Sequence, residues 1–247
     1  MSNSNEVATC NKAIDVIKNA SNFNKWSISL VEKYIGDRIL EIGGGIGTFT
    51  DFFLNKGILV TTEIDNDCFT ELNRKYSGVH TVTVLKGDIL DEGFVETMKQ
   101  MNFDTILCFN VLEHIENDIK AIDNMQKCLR KEGYIILRVP AYNVLYSELD
   151  KNVGHFRRYN KRSLSGKILF NNLEIVELFY MDMVGFMAWF LLFKILKKKS
   201  FASENQIGVY DKFFVPIFSK IEKIMKNPFG LTLFAVCENK ENTYNND

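Results

Sequence analysis

Residues 40–50 read LEIGGGIGTFT. Glycine stands at 43, 45 and 47, directly after an apolar run, with Glu41 two residues ahead of the first. A glycine-rich turn between a strand and a helix brings bare backbone against a nucleotide-like ligand. Dinucleotide folds space these glycines as G-x-G-x-x-G, which here needs glycine at 48; Thr48 stands there instead. The turn is tight enough to predict positive φ within it, a conformation glycine adopts without strain.

Working outward from this turn, strand and helix patterns alternate. RILEIG (38–43) is a short apolar strand, and TFTDFFLNKG is expected to be a helix closed by Gly57. Further strands are read at 58–65, 82–88, 103–110 and 134–140. The helices between them are CFTELNRKY, GFVETMKQM and DIKAIDNMQKCLRKEG, the last ending at Gly133. Short connections between alternating elements predict an α/β fold with a parallel sheet covered on both faces. A ligand is then expected at the carboxyl edge of the strands. Upstream, residues 11–35 carry apolar positions at helical spacing. Downstream, the rhythm breaks into a long connection, AYNVLYSELDKNVGHFRRYN, followed by a helix near KRSLSGKILFN. LEIVELFYM and LTLFAVCE (231–238) read as further strands, and the segment between them, about 184–227, as a helical cap on a single domain spanning 1–247.

The chain has 247 residues, 46% hydrophobic, with Lys plus Arg 30 against Asp plus Glu 31. That near balance gives no general attraction to nucleic acid, and none is expected as a partner. The cysteines are scattered singly, with no CxxC pair and no Cys/His spacing that suits zinc, so no metal is expected and a reducing, cytoplasmic setting is. The longest apolar run, Val184–Phe193, is about ten residues, against about 20 for a membrane span.

Two acids join the glycine turn. Glu63 ends the second strand, where a carboxylate can accept from a ribose diol. Asp88 ends the third strand in KGDIL and can accept from an adenine amine, with the Ile89 N–H offered to the ring. Together these segments resemble the class I S-adenosylmethionine-dependent methyltransferases: LEIGGGIGTFT their first motif, TTEID the ribose acid, KGDIL the adenine acid and FDTILCFNVLEHIEND the fourth motif. The chain is also similar to a bacterial subgroup with VPA, GHxRRY and PFGL segments, here Val139–Ala141, 154–159 and 228–231. The resemblance implies a Rossmann-like three-layer sandwich with a seven-stranded, mostly parallel sheet whose last strand is antiparallel. It implies S-adenosyl-L-methionine as cofactor and S-adenosyl-L-homocysteine as product. Glu41, Gly43, Gly45, Gly47, Glu63, Asp88, Ile89 and Asn110 are the expected cofactor residues. Glu41 would accept backbone N–H or ligand amine hydrogen bonds, Asn110 would hold the methionine ammonium, and Gly44 would be merely permissive.

The acceptor is expected over the long connection after the fifth strand. His155, or His114 in the EH pair, would take the acceptor's proton; His114 can equally be a packing residue. Arg157 or Arg158 would pair with an acceptor phosphate or carboxylate, unless Asp150 holds one of them internally. Tyr142 and Tyr159 would line the pocket or fill core. The acceptor is expected to be a small molecule such as a sugar, nucleotide-sugar or secondary metabolite. An NAD-dependent sugar oxidoreductase and a non-catalytic cofactor-binding module are the alternatives. The apolar MVGFMAWFLLFKILKKK (183–199) is expected to serve the cap core, a homodimer contact or a peripheral membrane contact through about 184–199.

Overall fold

The computed structural model describes residues 20–196, 208–224 and 227–240. The stretches before Ala20, Lys197–Lys199 and Cys10, on which parts of the sequence reading fall, lie outside the described residues.

The strands are β1 (Arg38–Ile42), β2 (Ile58–Glu63), β3 (Val82–Lys86), β4 (Phe103–Phe109), β5 (Leu129–Pro140), β6 (Glu174–Met181) and β7 (Thr232–Glu238). They form one sheet in the order β3-β2-β1-β4-β5-β7-β6. Pairings from β3 through β5 are parallel, and β7 runs antiparallel to both β5 and β6. Strand order reverses between β1 and β4, the position where a ligand crevice opens in such sheets. Expectation and structure agree on the seven strands and the reversed last strand.

The helices are α1 (Ser21–Val31), α2 (Asn66–Tyr76), α3 (Glu92–Lys99), α4 (Asp118–Cys128), α5 (Glu148–Asn152), α6 (Lys161–Phe170), α7 (Met183–Trp189) and α8 (Val215–Ile224). Two buried clusters cover the sheet. One gathers Leu40, Ile106, Leu112, Ile122, Met125, Leu137 and Leu164 on the α3–α4–α6 face. The other gathers Trp26, Val31, Phe53, Leu72, Phe109, Ile136 and Phe234 on the α1–α2 face. α2 and α3 are capped from their own sequence, by Asp65 and Asp91. α1 lacks a local cap; the Asp211 carboxylate, distant in sequence, accepts from the Asn22 and Phe23 N–H groups at 3.0 and 2.8 Å.

Two expectations are corrected. TFTDFFLNKG is not an α-helix: only Thr50–Phe53 forms a 3₁₀ turn. Aromatic and β-branched residues favour a helix weakly, and tertiary bonds fix the turn. Thr50 Oγ1 donates to buried Glu41 at 2.6 Å, and Tyr76 OH and Lys75 Nζ both bond the Gly47 carbonyl and Asp51. The helix expected to run to Gly133 ends at Cys128, where the chain turns into β5. Leu129 pairs with Phe103, and the Asn239 side chain holds the Leu129 carbonyl. The segment between β6 and β7, expected to be a cap, is described as α7, a π-helical run Phe190–Ile195, a second at Tyr210–Phe214, and α8.

Candidate active site

The carboxyl ends of β1, β2, β4 and β5 meet at the glycine turn. Gly43, Gly45 and Gly47 all have positive φ, +70°, +58° and +84°, as the tight turn predicts. Gly45 is the one facing open space: a Cβ there meets nothing within 4 Å. At Gly43 a Cβ would come within 2.4 Å of Val111 Cγ2, so its bareness serves packing against the loop after β4. Gly44, expected to be permissive, is required: a Cβ would fall 2.1 Å from Thr61 Oγ1.

Glu63 is buried at the end of β2, and its Oε2 accepts from Gly45 N at 2.9 Å. Its Oε1 accepts from the Ile64 and Asp65 N–H groups. A carboxylate offers about four lone-pair sites, so the side chain clamps the turn and retains acceptor capacity. Glu41 lies under the turn; burial raises its carboxyl pKa, which the Thr50 hydroxyl partly offsets. Asp88 is exposed and accepts from Leu90 N, while Ile89 is buried with its carbonyl held by Asn124. Asn110, directly after β4, has φ +56°, and its Oδ1 is buried without a hydrogen-bond partner.

A residue the sequence reading passed over lies next to it. Arg138 on β5 pairs in register with Phe109 and is 4% exposed, with Nε and Nη1 lacking partners. Its guanidinium sits between the rings of Phe23 and Phe49, at 5.3 and 5.1 Å. Burial lowers its pKa to about 10, opposed by the Glu113 and Asp182 charges. The signal was legible: one arginine inside the apolar run YIILRVP.

Across the crevice, Glu113 and His114 form a 3₁₀ turn after β4, and His155 comes from the long connection after β5. Phe156 N donates to the Glu113 carbonyl at 2.8 Å, joining the two segments. His155 is fixed further: its N–H bonds Asp150 O, its carbonyl accepts from Tyr146 OH, and its Nδ1 lies 2.9 Å from Asp150 Oδ1. Its Nε2 faces Glu113 Oε1 at 3.9 Å. Glu113 is fully buried and neither oxygen has a hydrogen-bond partner. Burial pushes its pKa up to about 7, against the pull of His155, Arg138 and Arg158. His114 presents an exposed edge and packs its ring against His155, centroids 4.6 Å apart. Desolvation of its inner side, then the neighbouring imidazole, lowers its pKa.

The GHFRRY cationic and phenolic side chains are engaged internally. Arg158 is buried in a two-point ion pair with Asp150, at 2.7 and 3.1 Å, so of the alternatives open in the sequence the internal pair is realised. Burial alone would raise the Asp150 pKa; the His155 hydrogen bond and the Arg158 charge outweigh it and bring it down to about 2. Arg157 binds Asp118 at 2.7 Å and the Glu116 carbonyl. Tyr159 is 1% exposed and donates to Asp118 at 2.7 Å, which makes it core rather than pocket lining. Tyr142 is half-buried, with φ +60°, its ring stacked on Tyr180 at 4.8 Å and edge-on to Phe186 at 5.4 Å. Phe229 continues this aromatic wall.

A methyltransferase-domain family model matches residues 12–178. The chain belongs to that family. Its fold is that of the class I S-adenosylmethionine-dependent methyltransferases, whose cofactor is S-adenosyl-L-methionine. Ribosomal RNA small subunit methyltransferase A of Coxiella burnetii (strain RSA 493 / Nine Mile phase I) is 31% identical over 121 residues, 46% of each chain. The same-named protein of Geobacter sulfurreducens is 39% identical over 71 residues, 28% of this chain and 26% of that one. This methyltransferase chain thus spans less than half the length of these curated relatives. Among solved structures, an Archaeoglobus fulgidus SAM-dependent methyltransferase superposes with TM-score 0.56 at 16% identity, covering 87% of this chain and 94% of that one. The [4+2]-cyclase SpnF superposes with TM-score 0.54 at 14% identity, covering 87% and 80%. These two likenesses bear on the fold alone.

The residues present fit the family's cofactor. Gly45 leaves space where a side chain would intrude, Asn110 Oδ1 is an orphaned acceptor, and Arg138 carries orphaned donors. Among the described residues no helix is long and apolar enough to cross a membrane.

Proposed function

We propose that the chain transfers a methyl group from S-adenosyl-L-methionine to an oxygen or nitrogen of a small-molecule acceptor. The observation that carries this reading is the open, side-chain-free face at Gly45, flanked by Glu63 and by the unpartnered Asn110 Oδ1. Glu63 would take the ribose hydroxyls, Asp88 and the Ile89 N–H the adenine, and Asn110 Oδ1 the ammonium. Arg138 would take the methionine carboxylate, a charge-assisted pairing that satisfies donors left bare in the free protein. The cofactor supplies an activated methyl, so alignment of the acceptor is the protein's main task, and holding two reactants in place is worth about 7–11 kcal/mol.

The acceptor would enter between the aromatic wall of Tyr142, Tyr180, Phe186 and Phe229 and the Glu113–His114–His155 cluster, which handles its proton. Aromatic faces suit a sugar ring or a flat metabolite. With Arg157 and Arg158 tied to acids, acceptor recognition would rest on stacking rather than on a phosphate clamp. Near-neutral charge favours a small molecule over nucleic acid, and the buried cysteines Cys108, Cys128 and Cys237, none of them in a disulfide, suit a cytoplasmic setting. The GHFRRY loop keeps its subgroup reading as the frame of this acceptor site.

A second reading concerns where the acceptor resides. Met187, Leu191, Ile195, Phe213, Ile217 and Ile221 of the cap are exposed apolar residues. They favour contact with a membrane surface or a second copy of the chain. Calorimetric titration with S-adenosyl-L-methionine and with NAD, followed by turnover against an acceptor panel, tests the main reading. Micromolar binding of the former with methylation of a small molecule is expected. Retention of NAD alone overturns it, and cofactor binding with no turnover on any acceptor, RNA included, favours a binding module.

A further inference from the structure

The sequence shows no metal motif by spacing, yet the fold assembles one. Glu113, His114 and His155 each offer one ligand atom, and these three atoms lie within 4.8 Å of one another. Two of the chain's three histidines are in this cluster; the third, His80, precedes β3. We infer that Glu113, His114 and His155 bind a divalent first-row transition-metal ion at the acceptor side of the crevice.

Four observations converge. Glu113 is 0% exposed with both carboxylate oxygens unpartnered, a costly state for a group that also faces His155 Nε2 at 3.9 Å. A cation between them would satisfy those oxygens. His155 already has the support that metal-binding imidazoles typically have: Nδ1 on the Asp150 carboxylate, leaving Nε2 free to coordinate. Asp150 is itself locked by Arg158 and the Ser147 N–H, so the ring's orientation is set before any ion arrives. Gly154, at φ +81°, turns the chain so that His155 meets His114.

Two imidazoles and one carboxylate suit zinc, manganese, iron(II) or cobalt(II) rather than magnesium, which prefers an all-oxygen shell. Zinc–ligand bonds of about 2.0–2.2 Å need the three atoms closer than they stand, and exposed His114 has the freedom to close in. Three protein ligands leave a coordination position open. Facing the crevice, that position takes the acceptor's hydroxyl oxygen; the ion's charge weakens the O–H bond, and the proton leaves to water past the exposed His114 edge. His155 then acts as a ligand, and the ion does the work otherwise given to an imidazole base. The acceptor role rests on the methyltransferase reading; the metal site does not.

The test uses EDTA-stripped, desalted protein titrated with cobalt(II) and followed by visible absorption, with zinc as competitor. One equivalent is expected to give the intense bands of a four- or five-coordinate N/O site, bleached by zinc. His114→Ala, at a residue with an exposed edge, should weaken binding by more than about 10-fold, and Glu113→Gln likewise, with the fold of each variant checked by circular dichroism. A wild-type spectrum no different from free cobalt overturns the inference. So does unchanged affinity in His114→Ala, which decides the matter even if Glu113→Gln fails to fold. Sulfur-to-cobalt charge-transfer bands would place the ion on cysteine and also overturn it. Titration of the stripped protein with S-adenosyl-L-methionine, expected to bind as before, separates failure of the metal site from failure of the methyltransferase reading.

Discussion

At the scale of single residues, the crevice is built from groups left bare. Gly45→Val puts a branched side chain at φ +58° and into the open face. The left-handed conformation costs about 1–2 kcal/mol, and calorimetry should show S-adenosyl-L-methionine affinity falling by more than about 10-fold. Arg138→Met separates binding from folding. Loss of a charge-assisted bond of about 1.5–3 kcal/mol lowers cofactor affinity about 10- to 100-fold, while removal of a buried unpaired charge leaves urea stability equal or higher. Asp182 gives a pH signature. It is buried at φ +71°, accepts from Gly185 N and Tyr210 OH, and neighbours Glu222 and Arg138. Burial raises its pKa from 3.8 to about 6. The folded state therefore holds this proton more tightly, so the associated stability is present below pH 3.8 and lost as pH rises through about 6. That loss is about 3 kcal/mol. Asp182→Asn, which keeps the Gly185 acceptor and tolerates positive φ, should flatten this limb in denaturation curves taken across that range. The glycine turn and the position of Glu63 at the end of β2 were legible because each closes an apolar strand. Arg138 was visible as a lone arginine in an apolar strand, but its bare donors and the unpartnered Glu113 carboxylate were not, because burial and missing partners are properties of three-dimensional neighbours.

At the scale of elements, the connection from Ala141 to Asn160 is a frame rather than a free loop. Asp150 receives Arg158, His155 and the Ser147 N–H, and Arg158 also lies 4.6 Å from the Trp189 ring of α7. Asp150→Ala strands a buried guanidinium and should cost about 3–5 kcal/mol. Turnover should fall even where the protein remains folded, since His155 loses its orienting partner. Thermal melting together with a kcat–KM comparison separates the two effects. The pairing of Asp150 with an arginine was open in the sequence, but which arginine took it was not, because Arg157 and Arg158 differ only in which side of the backbone each faces. The missed boundaries have the same origin. Thr50–Phe53 carries apolar residues and Leu129–Glu132 good helix formers, both compatible with helix, and distant partners, Glu41 and Tyr76 for one and Asn239 for the other, decide against it. Strands were read well because each is apolar and closely bounded by turn residues.

At the scale of the whole molecule, the segment between β6 and β7 packs on the connection after β5 through Trp189 Nε1 on Leu145 O and Lys194 on Tyr146 O. Saturation with S-adenosyl-L-methionine at 100-fold its Kd should stabilise the fold by about 2.7 kcal/mol, read as a rise in Tm. The exposed apolar residues of the cap give a further expectation. Phe213→Ser with Ile217→Ser should reduce co-sedimentation with anionic vesicles if the cap lies on a membrane. If it meets a second copy instead, the same pair should shift the chain to monomer in sedimentation velocity.

The placement of β7 has its own consequence. The last described strand slots between β5 and β6, and among the described residues β6 has no other neighbour in the sheet. A nascent polypeptide therefore carries two unpaired margins until Thr232–Glu238 has cleared the ribosome. Interruption of translation shortly before that point would leave an adhesive, protease-sensitive fragment rather than a weakened enzyme.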